Sequence, residues 1–214
     1  MQNFTRDSIA NLIVQNIARD LVLAIEEALI IGARRAYESS RNMQQGHFPS
    51  VLGQMRNFHM NETFSHALQV GNASPSPICG NTIVTGRTGI FTLARVNTQS
   101  IKWRNVRRSR KRQEMSLKNI NIQKLVQPEL FGMFLPPSEG FVLFVAEFAG
   151  SVHISPEMPI SIKIAVPSWD MQTCLFEERL SVFLKRYETQ SQQIDKAKPR
   201  LKRNRRTGND GMEK

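Results

Sequence analysis

FVLFVAEFAGSVHISPEMPISIKIAVP, residues 141–167, begins with ten residues that are almost wholly apolar, aromatic or β-branched and ends with a strictly alternating run. In the last nine residues Ile160, Ile162 and Ile164 alternate with Ser161 and Lys163, which places the isoleucines on one face of a strand. The first ten, interrupted only by Glu147, read as a strongly strand-like run. SVHIS between them reads as a further short strand, and three such runs this close predict a sheet.

Upstream, TIVTGRTGIFTLARVN (82–97) has β-branched and aromatic residues on both sides of GRTG, which predicts a β-hairpin turning at those four residues. GRTG can also aim backbone amides at an anion beside Arg87, although a plain turn accounts for it. From Arg6 to about Ser40, Ile9, Leu12, Ile13, Ile17, Leu21, Ala24, Ile25, Ala28 and Leu29 recur at helical spacing, with Thr5 or Asp7 placed to cap the start. The spacing predicts one long helix, apolar on most sides over residues 21–36, for the core or for pairing with a second copy or a protein partner. QQGHFP ends it, a second helix is expected over 50–70, and GNASPSPICGN marks a loop. Downstream, TCLFEERLSVFLKRY (173–187) reads as a final helix.

This order predicts an α+β fold: a long N-terminal helix and a second helix, then a hairpin and an antiparallel or mixed sheet, with a C-terminal helix. One domain is expected over 1–190, followed by a basic tail over 191–214 that lacks periodicity and is expected to be disordered alone. With 214 residues, 40% of them hydrophobic, the chain can bury a substantial core.

The formal charge is +11, and its placement matters more than its size. In IKWRNVRRSRKRQEMSLK (101–118), Lys102, Arg104, Arg107, Arg108, Arg110, Lys111, Arg112 and Lys118 stand against Glu114 alone. In the tail, Lys196, Lys198, Arg200, Lys202, Arg203, Arg205, Arg206 and Lys214 stand against Asp195, Asp210 and Glu213. The rest of the chain is close to neutral, so the excess is not a general solubilising coat.

The first basic segment predicts a helix whose cations repel one another at neighbouring positions, a repulsion that phosphates relieve. Leu117, Ile120 and Leu125, or alternatively Ile122 and Val126, give its C-terminal half an inward face. Trp103 either stacks on an unpaired base or anchors the segment to the core. The expected activity is nucleic-acid binding, DNA before RNA because aromatic residues are only 7% of the chain and no stacking platform is visible. Lys102, Arg104, Arg107, Arg108, Arg110, Lys111 and Arg112, with Lys202, Arg203, Arg205 and Arg206 of the tail, are the candidate contacts.

Two other classes compete: a metal-dependent nuclease, and an interaction subunit with an acidic protein partner. The order of a helix followed by strands resembles restriction-endonuclease-like nucleases, which implies Mg²⁺ held by carboxylates such as Glu26, Glu27 and Glu147. The acidic-x-Lys signature of that family is missing, since Ala149 follows Glu147 where a lysine belongs. RNMQQGH (41–47) resembles the Arg-polar-spacer-His motif of HEPN-type ribonucleases, although Gly46 and Pro49 predict a turn where that family has a helix. His59, Glu62 and His66 share a helix sector with Val51, Met55 and Phe58 and are of types that suit zinc or iron. No GxSxG elbow, phosphate-binding loop of the GxxxxGK type or GxGxxG is present, and outside the nuclease reading no cofactor is expected.

Cys79 and Cys174 stand far apart, which predicts two reduced thiols. The N-terminus lacks the basic-then-apolar order of a secretory signal, and the apolar runs are short or interrupted by Glu26, Glu27 and Glu147. A cytoplasmic or nucleoid-associated protein without membrane contact is expected.

Overall fold

The structure, a computed structural model, describes residues 2–99, 103–126, 136–151 and 154–191. Helices α1 (Gln2–Asn16), α2 (Arg19–Ser40) and α3 (Phe48–Val70) precede strands β1 (Thr85–Thr88) and β2 (Phe91–Gln99). Three short helices follow, α4 (Trp103–Val106), α5 (Arg110–Ser116) and α6 (Ile120–Val126), with a 3-10 turn at Leu117–Asn119 between the last two. Strands β3 (Gly140–Phe148), β4 (Ser161–Pro167) and β5 (Cys174–Arg179) and helices α7 (Leu180–Phe183) and α8 (Lys185–Ser191) complete the chain. The five strands form one mixed sheet in sequence order; β2 and β3 are parallel and every other pair is antiparallel. The fold is α+β, as its sequence pattern predicts.

Strand alternation divides the core in two. Phe91, Leu93, Val142, Phe144, Ala146, Phe148, Ile162, Ile164 and Val166 pack against α1, α2 and α3. On the opposite face Ala94, Val96, Phe141, Leu143, Val145 and Ala165 are covered by Val106 of α4 and Met115 of α5. The crossover that parallel pairing of β2 and β3 requires is therefore the segment that carries the basic residues.

The single long N-terminal helix is two, with α1 and α2 bent by 94°. No Gly or Pro marks the break; tertiary contact makes it. Asn16 accepts from the Thr88 hydroxyl through its backbone oxygen at 3.3 Å and from the Ile90 amide through Oδ1 at 3.4 Å, while its Nδ2 donates to Leu12 O at 2.9 Å. The hairpin turn thus claims groups that a continuous helix would need. Gly89, at φ +50, lies against Asn16; an added Cβ there would meet Asn16 Oδ1 at 2.7 Å. Asn16→Ala should cost about 1–2 kcal/mol by removing the side-chain bonds, measurable as a lower urea midpoint at unchanged slope.

Other expectations also shift. GRTG is not the turn: Gly86, Arg87 and Thr88 belong to β1, and Gly89–Ile90 connects the strands, with Thr88 paired to Phe91. CLFEER is strand β5, not the start of the final helix, because Phe176 and Glu178 pair with Val166 and Ile164 of β4. The strand expected at SVHIS is not found in its described residues: Ser151, Ile154 and Ser155 are bends, and residues 152–153 lie outside the described residues. Of the two inward faces open to α6, that of Ile122 and Val126 is the observed one; Ile122 is fully buried, whereas Leu117 and Ile120 are exposed. Among the described residues no single helix is long and apolar enough to cross a membrane.

Candidate nucleic-acid interface

The basic segment divides by orientation rather than forming one charged helix. It breaks after Val106 and restarts at Arg110, with Ser109 extended at ψ 114. Arg108, Arg110 and Lys111 are exposed and Arg107 is half-buried, so four cations close in sequence reach the surface and form a basic ridge along the chain. Glu114 answers Arg110 at 3.1 Å. Arg107 donates to the side chain of Gln172, and Lys111 Nζ lies 3.4 Å from Ile83 O, both neutral acceptors. Lys118 leaves the ridge to donate to the Thr92 hydroxyl at 2.8 Å. Lys102 and the tail contacts Lys202, Arg203, Arg205 and Arg206 lie outside the described residues, as do the side chains of Trp103 and Arg104.

Arg112 points inward and meets an arginine that sequence reading misses. Arg95 on β2 is 4% exposed. Its Nε donates to Asn61 Oδ1 at 3.1 Å, and Nη2 donates to the same oxygen at 2.7 Å and to Asn57 O at 2.6 Å. Its Nη1 donates to Asn97 Oδ1 at 2.9 Å. β1 pairs with β2 only as far as Ala94, so from Arg95 onward that edge of β2 has no strand beside it among the described residues. The loop over 81–83 covers this edge instead, and a cavity of about 220 Å³ opens there. Asn57, Asn61, Asn81, Thr82, Asn97, Arg95 and Arg112 supply its polar walls.

Among the described residues no carboxylate lines this cavity. Burial, and secondarily the charge of Arg112, push the Arg95 guanidinium down to about 9; burial lowers Arg112 as well. Both stay charged at neutral pH. Arg56 is buried as well and is pushed down to about 10 by burial, but its guanidinium lies over the Phe148 ring at 3.7 Å and donates to Pro156 O. The signal for Arg95 was present in LARVN, a charged residue inside an apolar strand run, with Asn57 and Asn61 one helical turn apart to meet it.

The other candidates separate. Comparison with protein-family models, with curated proteins and with solved structures finds no match to this chain. Roles therefore rest on geometry. Glu147 binds Lys163 at 2.8 Å, and Lys163 binds Glu177 at 2.7 Å, tying three strands together. Burial alone would lower the Lys163 pKa, but its bonds to Glu147 and Glu177 outweigh burial and raise it. Glu26 is half-buried on α2 and its pKa is raised by that burial, whereas exposed Glu27 lines a separate α2–α3 groove of about 490 Å³. Glu27, Glu62 and His66 share that groove; Glu26 and Glu147 do not line it.

His59 turns to Ser39, with Nε2 3.1 Å from Oγ, and its Nδ1 is 3.4 Å from Glu62 without hydrogen-bond geometry. Among the described residues no group of three or more His, Cys, Asp or Glu is placed to hold a metal ion. The sector of Val51, Met55 and Phe58 is not the buried face of α3; Leu52, Met60, Phe64 and Leu68 are, because they meet the sheet and α2. Arg41 and His47 are both exposed in the connection between α2 and α3, so RNMQQGH does not lie on one helix. In the groove, Ile31 of α2 and Val70 of α3 remain exposed.

Proposed function

We propose that the chain binds nucleic acid, duplex DNA in preference to RNA, by laying the ridge of Arg107, Arg108, Arg110 and Lys111 along the phosphate backbone. The observation that carries this reading is four neighbouring cations, three of them exposed, with Glu114 the sole carboxylate paired to any of them among the described residues. Their short helices rest on the sheet through Val106 and Met115, so the ridge is fixed to a packed scaffold. Neighbouring surface cations repel one another; a row of phosphates offsets that repulsion, and binding releases the counterions condensed on the nucleic acid. The basic tail supplies a second contact. Contacts of this kind set position and affinity and carry no base sequence.

Binding to labelled duplex DNA should weaken steeply with salt. The Arg107→Ala, Arg108→Ala, Arg110→Ala, Lys111→Ala variant should flatten the log–log slope by roughly 0.9 for each phosphate it no longer neutralises. Arg112 stays out of that variant because it serves the cavity. An unchanged slope would remove the ridge from the interface, and tighter binding of an acidic protein than of any nucleic acid would replace the reading altogether.

A further inference from the structure

We propose that the cavity between Arg95 and Arg112 is a built binding site for a single phosphate group. Arg95 is fixed from three sides by Asn57, Asn61 and Asn97, so its charge is held in place rather than free to swing into water. Arg112 reaches the same space from the opposite face of the sheet, anchored by Nη1 to Val106 O at 3.4 Å, while its buried Nε has no hydrogen-bond partner. A buried and a half-buried cation that repel each other, an orphaned donor and, among the described residues, no carboxylate in the walls describe a site whose missing component is an anion.

Size and charge choose the anion. A space of about 220 Å³ accommodates a tetrahedral phosphate with several waters, each of which takes about 30 Å³ in the liquid. A phosphomonoester carries about −1.5 to −2 at neutral pH and offers three acceptor oxygens, which matches two guanidinium groups better than a planar, singly charged carboxylate does. Asn81 and Thr82 line the same space and bring an amide and a hydroxyl for the remaining oxygens. The site stands on its own charge and does not depend on the ridge binding nucleic acid. The phosphate can be free, carried by a small ester, or carried at the end of a strand.

The test is thermal unfolding of the full chain in sodium phosphate against sodium chloride at equal ionic strength. Phosphate should raise Tm in proportion to the logarithm of its concentration above Kd, by about 3–6 °C at tenfold its Kd. Arg112→Gln, at a half-buried position, should fold and lose this rise, while Arg34→Gln, an exposed charge on α2, should keep it. No rise beyond chloride, or a full rise in Arg112→Gln, overturns the proposal. In a second arm, a 5′-phosphorylated oligonucleotide is compared with its 5′-hydroxyl twin. A greater shift from the phosphorylated strand, absent in Arg112→Gln, names a nucleic-acid end as the source. Equal shifts, alongside a positive phosphate arm, name free phosphate or a small ester. Because the ridge is intact in Arg112→Gln, loss of the phosphate response with retained salt-dependent DNA binding separates the two sites.

Discussion

Replacing Asn119 with leucine should lower Tm by at least about 6 °C, for a destabilisation of about 3–5 kcal/mol. Asn119 is fully buried in the turn between α5 and α6, and its whole amide is used. Nδ2 donates to Phe141 O at 3.0 Å and to Pro167 O at 2.8 Å, and Oδ1 accepts from Phe141 N at 2.7 Å. The pairing of β3 with β4 ends at Leu143 and Ala165, two residues short of Phe141 and Pro167. The side chain therefore bridges two strands where the ladder stops. Leucine keeps the number and branching of the heavy atoms but leaves three buried backbone groups without partners, and each such group costs about 1–3 kcal/mol. A Tm drop under about 2 °C would mean that water reaches the strand ends and takes over the bonds.

Asn119 also explains how the basic crossover is aimed. It clamps the C-terminal end of α5 to β3 and β4, while Ser116 donates to Trp169 O at 2.7 Å on the loop after β4. Held at that end, α5 presents Arg110 and Lys111 outward and turns Arg112 toward β2. Polar residues within an otherwise charged segment thus decide which cations meet solvent and which meet Arg95.

How much of this was legible follows from where the deciding interactions lie. β3 and β4 announce themselves because both are dominated by apolar, β-branched residues and flanked by Gly and Pro. β5 gives no such notice: CLFEER runs into LSVF with no Gly, Pro or Asn, and the change from strand to helix occurs at Arg179, at φ −65 and ψ 138. Pairing with β4 decides it, and pairing is not a local property. The bend after Asn16 is hidden for the same reason, since its cause is a hairpin more than seventy residues later. At the candidate site, the exposed ridge could be read from charge alone. The Arg95–Arg112 encounter could not, because it joins two faces of the sheet around the unpaired edge of β2.

Gly32→Val should destabilise the fold by about 2–4 kcal/mol even though glycine is a poor helix former and its removal from α2 ought to help by up to about 1 kcal/mol. The two effects have opposite sign, and geometry decides between them. A Cβ on Gly32 would stand 2.5 Å from Thr63 Oγ1 and 2.7 Å from Met60 Cα. The hydroxyl can rotate; the second atom is backbone, so α3 itself must shift. Met60 lies between Asn57 and Asn61, whose oxygens hold Arg95, and a displaced α3 moves that cradle relative to β2. Valine should therefore lower Tm by about 4–12 °C and, in the folded protein, weaken phosphate protection without touching any residue of the cavity. An unchanged or higher Tm would show that α2 and α3 separate freely, and the cradle of Arg95 would then lack the rigid support that its buried charge requires.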